Sequence, residues 1–418
     1  MTSLPRPYGL PVSILTEPEA QHRTRAVRET PARSLRTAGL FAGIGGLELG
    51  LERAGHRTTA FSEIDPPARA VLSARFPHVQ NTPDVQDMEH LPRGTELISA
   101  GFPCQDLSQA GRTRGIKGAR SGLVGEVFRL LMTHDVPWVL LENVPFMLHL
   151  ARGKALEVII ETLESLDYRW AYRVVNSHAF GVPQRRERVY FVASRQEDPR
   201  DVLLADDVGV PAPRVWTEDL AVGFYWTEGR GGLGWAVDAV PTLKNGSTIG
   251  IASPPGILLP SGEIVKPGIR DAERMQGLPA DWTQPAEEVA KPSIRWRLVG
   301  NAVTVDVAEW LGRRLGRPGR YAPRLDEPLR RGVPWPRAAY NVGEGRFYAD
   351  VSAWPVHLPG PHLHDFLTVT DLTPLSYKAV SGFLSRYEAG NLRKLPRFLR
   401  ALRAHQERMR RGEAKAAR

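Results

Sequence analysis

Between Leu35 and about Ala193 the chain repeats one alternation, a short apolar run followed by a stretch with helical spacing of apolar residues. The runs are TAGLFA, RTTAFSE, ELISAGF, WVLLENV, YRWAYRVVN and RVYFVAS. This rhythm constrains the fold more than any other feature. Parallel strands need crossover helices, and an α/β fold supplies them in series. A doubly wound sheet is therefore predicted, with ligands bound beyond the C-terminal ends of its strands. Between Val174-Val175 and Val189-Tyr190-Phe191 only NSHAFGVPQRRE intervenes, too short for a crossover helix. The last two strands are expected to close the sheet as a terminal antiparallel hairpin.

The chain divides further around this core. Its 418 residues suggest two or three domains. Residues 1–34 mix Pro, Arg, Glu and Thr without apolar periodicity and read as a disordered basic arm. Residues 35–194 carry the α/β rhythm. Residues 195–267 gain Gly, Pro and aromatics and read as a small, loop-rich second domain. Helical patterns at 268–318 return to the first domain. Residues 319–418 are expected to form an accessory helical extension, in which Thr373-Pro374 opens one helix and Pro396 a second, basic one.

Charge belongs mostly to the two ends. Net charge is +9. Residues 391–418 hold ten Lys/Arg against Glu407 and Glu413, a net +8, and residues 1–36 hold six Arg against three Glu, a net +3. The intervening body, at −2, is close to neutral. A polyanionic partner is implied, with its basic contacts local. No run reaches the 18 or so apolar residues of a membrane span and the N-terminus lacks a signal layout, so a cytoplasmic protein with no membrane contact is expected. The single cysteine excludes an internal disulfide and any zinc site built on paired thiolates, and no metal is expected.

Five constellations carry chemistry. LFAGIGGLELGLERAG joins a strand to a helix through Gly43, Gly45 and Gly46, which let the backbone turn sharply and approach a bound molecule. Glu63 follows 20 residues after Gly43, at the end of the next strand, where an acid can accept from ribose hydroxyls. Glu48 stands where a third glycine would complete G-x-G-x-x-G, so the dinucleotide fingerprint is not met. Cys104 in ISAGFPCQDLSQAG lies just past an apolar strand, either as an inert thiol or as a nucleophile at the ligand-binding sheet edge. GRTRGIKGARSG, Gly111 to Gly122, has four basic residues and no acid, fitting a solvated loop or one that closes over a phosphate backbone. WVLLENVP ends a strand in Glu142-Asn143, where partial burial would raise the carboxyl pKa and suit it to protonate a ring nitrogen. VPQRRERVYF spaces Gln184, Arg186 and Arg188 by two, which predicts all three on one strand face, as a phosphate or carbonyl clamp or as an ion-pair ladder.

In series, F-x-G-x-G-G, an acid after the second strand, P-C-Q, E-N-V, Q-x-R-x-R and G-N-A-V at Gly300 to Val303 resemble the cytosine-C5 DNA methyltransferases, over about residues 35 to 315. RDAERMQGLPADW, Arg270 to Trp282, resembles the helix and loop that close that family's second domain. The resemblance implies a Rossmann-like methyltransferase sheet with a target-recognition domain. It implies methyl transfer from S-adenosylmethionine to carbon 5 of a flipped-out cytosine in a specific sequence of double-stranded DNA, through a Cys104 adduct at C6. Glu142 would hold N3 and the amine. Arg186 and Arg188 would anchor the carbonyl and adjacent phosphates, and Gln105 would contact the backbone as the loop closes. Phe41, Gly43, Gly45, Gly46, Glu63, Ile64, Asp84, Leu123, Asn301 and Val303 would surround the cofactor, with Asp87 as the alternative to Asp84. Ser108, Arg112, Arg114, Arg120, Gln184, Thr242 and Lys244 would face DNA, with Arg214, Arg230 and Asn245 as further base-reading candidates.

A restriction-modification or phage-defence role follows by the same resemblance, with a monomeric enzyme and a restriction nuclease or defence protein as candidate partner. Two other readings compete. A tRNA cytosine methyltransferase of the same superfamily would carry a Cys-Phe-Thr segment, which this chain lacks. A catalytically silent DNA-binding module would have lost a motif, and none is missing.

Overall fold

A computed structural model describes residues 32–103, 122–229, 232, 234–246, 252–330 and 332–416. The expected basic arm falls outside them except for residues 32–34.

Strand β1 (Arg36–Leu40), helix α1 (Gly46–Arg53), β2 (Arg57–Ser62), α2 (Pro66–Arg75), β3 (Gln80–Thr82), β4 (Leu97–Ala100), α3 (Val124–Thr133), β5 (Trp138–Asn143) and α4 (Lys154–Ser165) carry the predicted alternation. Strands β3, β2, β1, β4 and β5 lie side by side and parallel. Residue period two sends side chains to both faces. Val139 and Leu141 join the core under α3 and α4, whereas Trp138 and Leu140 join the core under α1. This accounts for the near-continuous apolar runs, because a parallel sheet is covered on both sides.

β6 (Arg169–Asn176) and the later β8 (Glu187–Ser194) form the antiparallel hairpin, separated by the two-residue β7 (Gln184–Arg185). β8 lies between β5 and β6 and runs antiparallel to both. The hairpin does not terminate the sheet. Short strands from residues 327–348 continue it, with Ala338–Asn341 pairing antiparallel to β6, for ten strands in all among the described residues. Those strands are two to four residues long and flanked by Pro and Gly, too short to show a period.

The second lobe centres on β9 (Val222–Phe224), β10 (Trp235–Val237), β11 (Val240–Pro241), β12 (Gly256–Leu258) and β13 (Ile264–Lys266). Strands β10, β9, β12 and β13 form an antiparallel sheet that a distant segment, Thr373–Pro374, completes on β13. β11 instead pairs with β7, tying this lobe to the first. Then follow α5 (Pro199–Leu203, earlier in the chain), α6 (Ile269–Arg274), α7 (Ile294–Asn301), α8 (Val305–Gly316), α9 (Tyr377–Ala389) and α10 (Pro396–Ala416). α8 packs on α1 through close approaches: a Cβ at Gly50 would lie 2.5 Å from Ala308 Cβ, and one at Gly312 would lie 2.6 Å from Ala54 Cβ. α9 and α10 cover the outer face of the second sheet, with Phe383, Tyr387, Phe398 and Leu402 around Phe224 and Ile264. Residues 319–418 thus serve both sheets.

Candidate active site

A cavity of about 650 Å³ opens at the C-terminal ends of β1, β2, β4 and β5. One end is built by the turn after β1. Phe41 takes φ of 53°, a left-handed conformation that costs a non-glycine residue energy and concentrates at functional sites. Gly43, at φ 57°, has nothing within 4 Å of where a Cβ would stand, so its backbone faces open space. Its N–H donates to Glu63 Oε2 at 2.7 Å, and Asp65 N–H donates to Oε1 at 2.8 Å. Burial raises the Glu63 carboxyl above its ordinary value, against these hydrogen bonds. Ile64 beside it is 65% exposed. Asp84 accepts from Gln86 N–H at 2.9 Å and lines the cavity, as Val85 and Gln86 do.

Phe41, Gly43, Gly46, Glu63, Ile64, Asp84, Leu123, Asn301 and Val303 share this lining with Glu142, Asn143 and Arg188. Gly45 does not line it. It is the N-cap of α1 at φ 78°, and a Cβ there would meet the Phe76 ring at 2.6 Å. At the other end Glu142 is buried, with Arg188 Nε 3.0 Å from its Oε1. Burial raises the carboxyl, outweighing the lowering by Arg188 and Arg186. Asn143 Nδ2 donates to the Phe102 carbonyl at 3.0 Å, fastening the end of β5 to the chain that leaves β4. Pro103, the residue before Cys104, lines the cavity. Cys104, Gln105, Ser108, Arg112, Arg114, Lys117 and Arg120 lie outside the described residues, as does Arg230.

The three-residue clamp expected from Q-x-R-x-R is divided. Arg188 reaches the cavity, but Arg186 is fully buried and points its guanidinium at main-chain carbonyls: Leu243 at 3.2 Å, Gly300 at 3.3 Å and Ala302 at 2.5 Å. Burial draws it down to about 9. Gln184, expected to face DNA, is also fully buried. It donates to Met275 O at 2.9 Å and accepts from Leu243 N–H at 2.9 Å. The expected single strand is broken at Arg186, which falls between β7 and β8 of two different sheets, and the joint between the lobes covers both Gln184 and Arg186. Gln276 extends that joint, accepting from Gln184 at 3.1 Å and from Thr304 at 2.9 Å.

Sequence reasoning did not single out several residues at this joint and at the cavity mouth. Gly300, named in the sequence only as the start of G-N-A-V, has a packing role there that the motif did not disclose: a Cβ would stand 2.2 Å from the Lys244 carbonyl carbon, so glycine lets the second lobe's backbone lie on α7. Asp65 and Arg297 both line the cavity and pair at 2.8 Å across its mouth. Within RDAERMQGLPADW, Glu273 is buried and accepts from Arg295 at 3.0 Å and from Thr283 N–H at 2.9 Å. An acid flanked by Ala272 and Met275 on a helical apolar face was the available signal. Trp282 Nε1 donates to Ile44 O at 2.9 Å, anchoring this segment to the glycine turn.

On the second lobe, Thr242 Oγ1 donates to Arg185 O at 2.8 Å. Lys244 pairs with Glu228 at 3.1 Å and lies over the Tyr225 ring at 4.2 Å, while the exposed Asn245 lines the cavity. Arg214 pairs with the buried Asp238. Among the described residues no helix is long and apolar enough to cross a membrane, and no group of three or more His, Cys, Asp or Glu is placed to hold a metal ion.

Residues 35–219 match the family model described as C-5 cytosine-specific DNA methylase. The chain is 46% identical over 364 residues to the type II methyltransferase M2.BsuMI of Bacillus subtilis, covering 84% of this chain and 93% of that protein. It is 30% identical over 291 residues to the type II methyltransferase M.MspI of a Moraxella species, covering 64% and 67% respectively. With one cavity joining the glycine turn to the E-N-V carboxyl, and a relative this similar over nearly its whole length, the chain belongs to the C-5 cytosine-specific DNA methylases and is a DNA (cytosine-5) methyltransferase.

Proposed function

We propose that the enzyme transfers a methyl group from S-adenosylmethionine to carbon 5 of a cytosine flipped out of a specific duplex sequence. The observation that carries this reading is the continuity of the cavity, which has Glu63 and Asp84 at one end and Glu142 and Arg188 at the other. Its first end fits an adenosine. Glu63 and Asp84 retain acceptor capacity beyond their backbone hydrogen bonds, suited to ribose hydroxyls and an adenine amine, and Ile64 offers an exposed apolar face. Asn301 and Val303 would wall the same end. When bound, S-adenosylmethionine supplies an electrophilic methyl group.

The chain's own residues act on the base. Cytosine C5 is a poor nucleophile until the ring loses aromaticity. The Cys104 thiolate would add to C6, forming the S–C bond and moving electron density toward C5 and N3. Glu142, held toward its protonated form by burial, would give N3 a proton, so that density does not remain as bare charge. After C5 takes the methyl group, loss of the C5 proton to water, expulsion of the thiolate from C6 and return of the N3 proton to Glu142 would restore the ring and the enzyme. Arg188 would orient Glu142 and the base carbonyl, and Arg186 would act at one remove by holding the joint. A base inside a duplex cannot reach a buried carboxyl, which supports flipping. The second lobe, with Thr242, Lys244 and Asn245 at the cavity side, is the proposed reader of sequence. The basic loop containing Ser108, Arg112, Arg114 and Arg120 is the proposed backbone clamp.

The test is label transfer from S-adenosylmethionine to duplex DNA, with digestion to nucleosides and comparison with Cys104→Ser. Label in 5-methylcytosine with wild type, and none with the variant, is expected. Transfer by Cys104→Ser at the wild-type rate would contradict the thiolate role.

A further inference from the structure

The long basic helix α10 carries an exposed charged face that its packing on the lobe does not require. Phe398, Leu402 and His405 turn inward, with His405 Nε2 against Leu375 O at 2.8 Å and Nδ1 accepting from Ile264 N–H at 3.3 Å. Those contacts dock the helix on the second lobe and fix its orientation. The opposite face then carries Arg400, Arg403, Arg410 and Arg411, all exposed, the last three with side chains 62%, 64% and 79% exposed. Arg403 pairs with Glu388, and Arg410 and Arg411 share Glu407. Exposed pairs of this kind are weak and exchange readily for other anions. The row retains a surplus of positive charge.

Its neighbours connect it to the cavity side of the lobe. Arg397 stacks on Trp216 at 4.4 Å, and Arg386 of α9 donates to Trp226 O at 2.6 Å. Trp226 follows Tyr225, the ring beneath Lys244, and Lys244 precedes the cavity-lining Asn245. From Arg400 to Arg411 the helix rises about 16 Å, close to five phosphate-to-phosphate steps along one strand at about 3.4 Å each. A near-neutral body carrying a net +8 in residues 391–418 leaves the enzyme's polyanionic substrate as the complementary partner.

We infer that the outer face of α10 binds the phosphate backbone of the duplex flanking the target site, lengthening the enzyme's footprint beyond the cavity and the recognition lobe. This rests on the enzyme's acting on duplex DNA. The basic row would raise affinity and residence on long DNA without reading sequence, since phosphate contacts position and do not specify.

The test compares wild type with the full-length quadruple variant Arg400→Gln, Arg403→Gln, Arg410→Gln, Arg411→Gln, on a short duplex of about 12 base pairs and a long one of about 40, each across a salt series. Methyl transfer by wild type to the short duplex tests the underlying DNA reading separately. The variant is expected to keep the wild-type affinity and rate on the short duplex. On the long duplex its log-affinity against log-salt slope should fall by roughly 3 to 4, at about 0.9 per lost phosphate contact. An unchanged slope on the long duplex would overturn the inference and leave the row to an acidic protein partner. Equal losses on both duplexes would also overturn it, by placing the arginines inside the target site. A matching thermal melt for the two proteins confirms that the row was removed without unfolding the lobe.

Discussion

The two lobes are stabilised over very different sequence distances. In the catalytic sheet each strand lies beside a partner close to it in the chain, and one face is filled by α3 and α4 from between those strands, while the other is filled by α1 together with the later α8. Its remote contributions are α8 on that second face and the short strands that extend the antiparallel flank. The second sheet has strands of two or three residues, and its outer core comes from α9 and α10, more than a hundred residues after the segments they cover. Local units hold the cavity's acids in place, whereas the second lobe depends on the end of the chain. Chemistry and DNA reading should therefore be separable by mutation, and the joint at Arg186 is where they couple.

Glu142→Gln should give the largest effect. The amide keeps the shape but cannot protonate N3, so the methylation rate should fall about 10²- to 10⁴-fold. Titration calorimetry with S-adenosylmethionine should show cofactor affinity unchanged. A comparable loss of cofactor affinity would show that the two ends of the cavity are not independent.

Arg186→Ala should couple the lobes' fates. It leaves the carbonyls of Leu243, Gly300 and Ala302 without their donor inside the joint, a cost of about 3 kcal/mol or more, together with loss of activity. Chemical denaturation measures the first and methyl transfer the second. Wild-type activity in this variant would return Arg186 to the bland role of a core ion.

Phe383→Ala should sharpen the contrast between lobes. The ring is fully buried and lies 4.7 Å from Phe224, and truncation there costs about 3 kcal/mol. Hydrogen exchange should show the loss in β9, β12 and β13, with protection in β1, β4 and β5 retained. Uniform loss across both sheets would mean that they unfold as one unit.

Glu48→Gln should have the smallest effect, and it probes the catalytic lobe alone. Glu48 is buried with its carboxyl against Gly39 of β1, accepts from Ser99 Oγ at 2.7 Å, and burial pushes its carboxyl up from 4.5 to about 7. The folded state holds the extra proton between those values, so this group's contribution to stability falls as pH rises from 4.5 towards 7. The neutral amide removes that dependence. The variant should melt with wild type near pH 4.5 and be more stable by about 1 to 3 kcal/mol at pH 8. A difference that does not vary with pH would refute the raised carboxyl.

The same contrast explains what the sequence disclosed. Strands β1, β2, β4 and β5 were legible because burial on both faces makes them near-continuous apolar runs. Glu63 and Glu142 were legible as site candidates because each ends a strand run, whereas Asp84 and Asn301 were reached only through the family resemblance, and the cavity brings all four together. Arg186 and Arg188 were not distinguishable. Period two predicts one face for both, but the strand breaks at Arg186, and only the three-dimensional joint covers Arg186 and leaves Arg188 in the cavity. The sheet strands at 327–348 and the edge at Thr373–Pro374 were hidden for another reason. They are short, and partners far away in the chain define them. Gly300 was read as part of a motif, while its physical need, the backbone at Lys244 lying over it, is a contact between lobes.

The central claim is that Cys104 attacks a cytosine lodged against Glu142. A duplex carrying 5-fluorocytosine at the methylated position tests it most directly, because fluorine at C5 cannot leave as a proton and the sulfur–C6 bond then persists. With S-adenosylmethionine present, wild type should become covalently joined to this duplex and migrate as a larger species under denaturing conditions. Cys104→Ser should not. A covalent complex formed equally by Cys104→Ser, or none formed by a wild type that still methylates the ordinary duplex, would contradict the account.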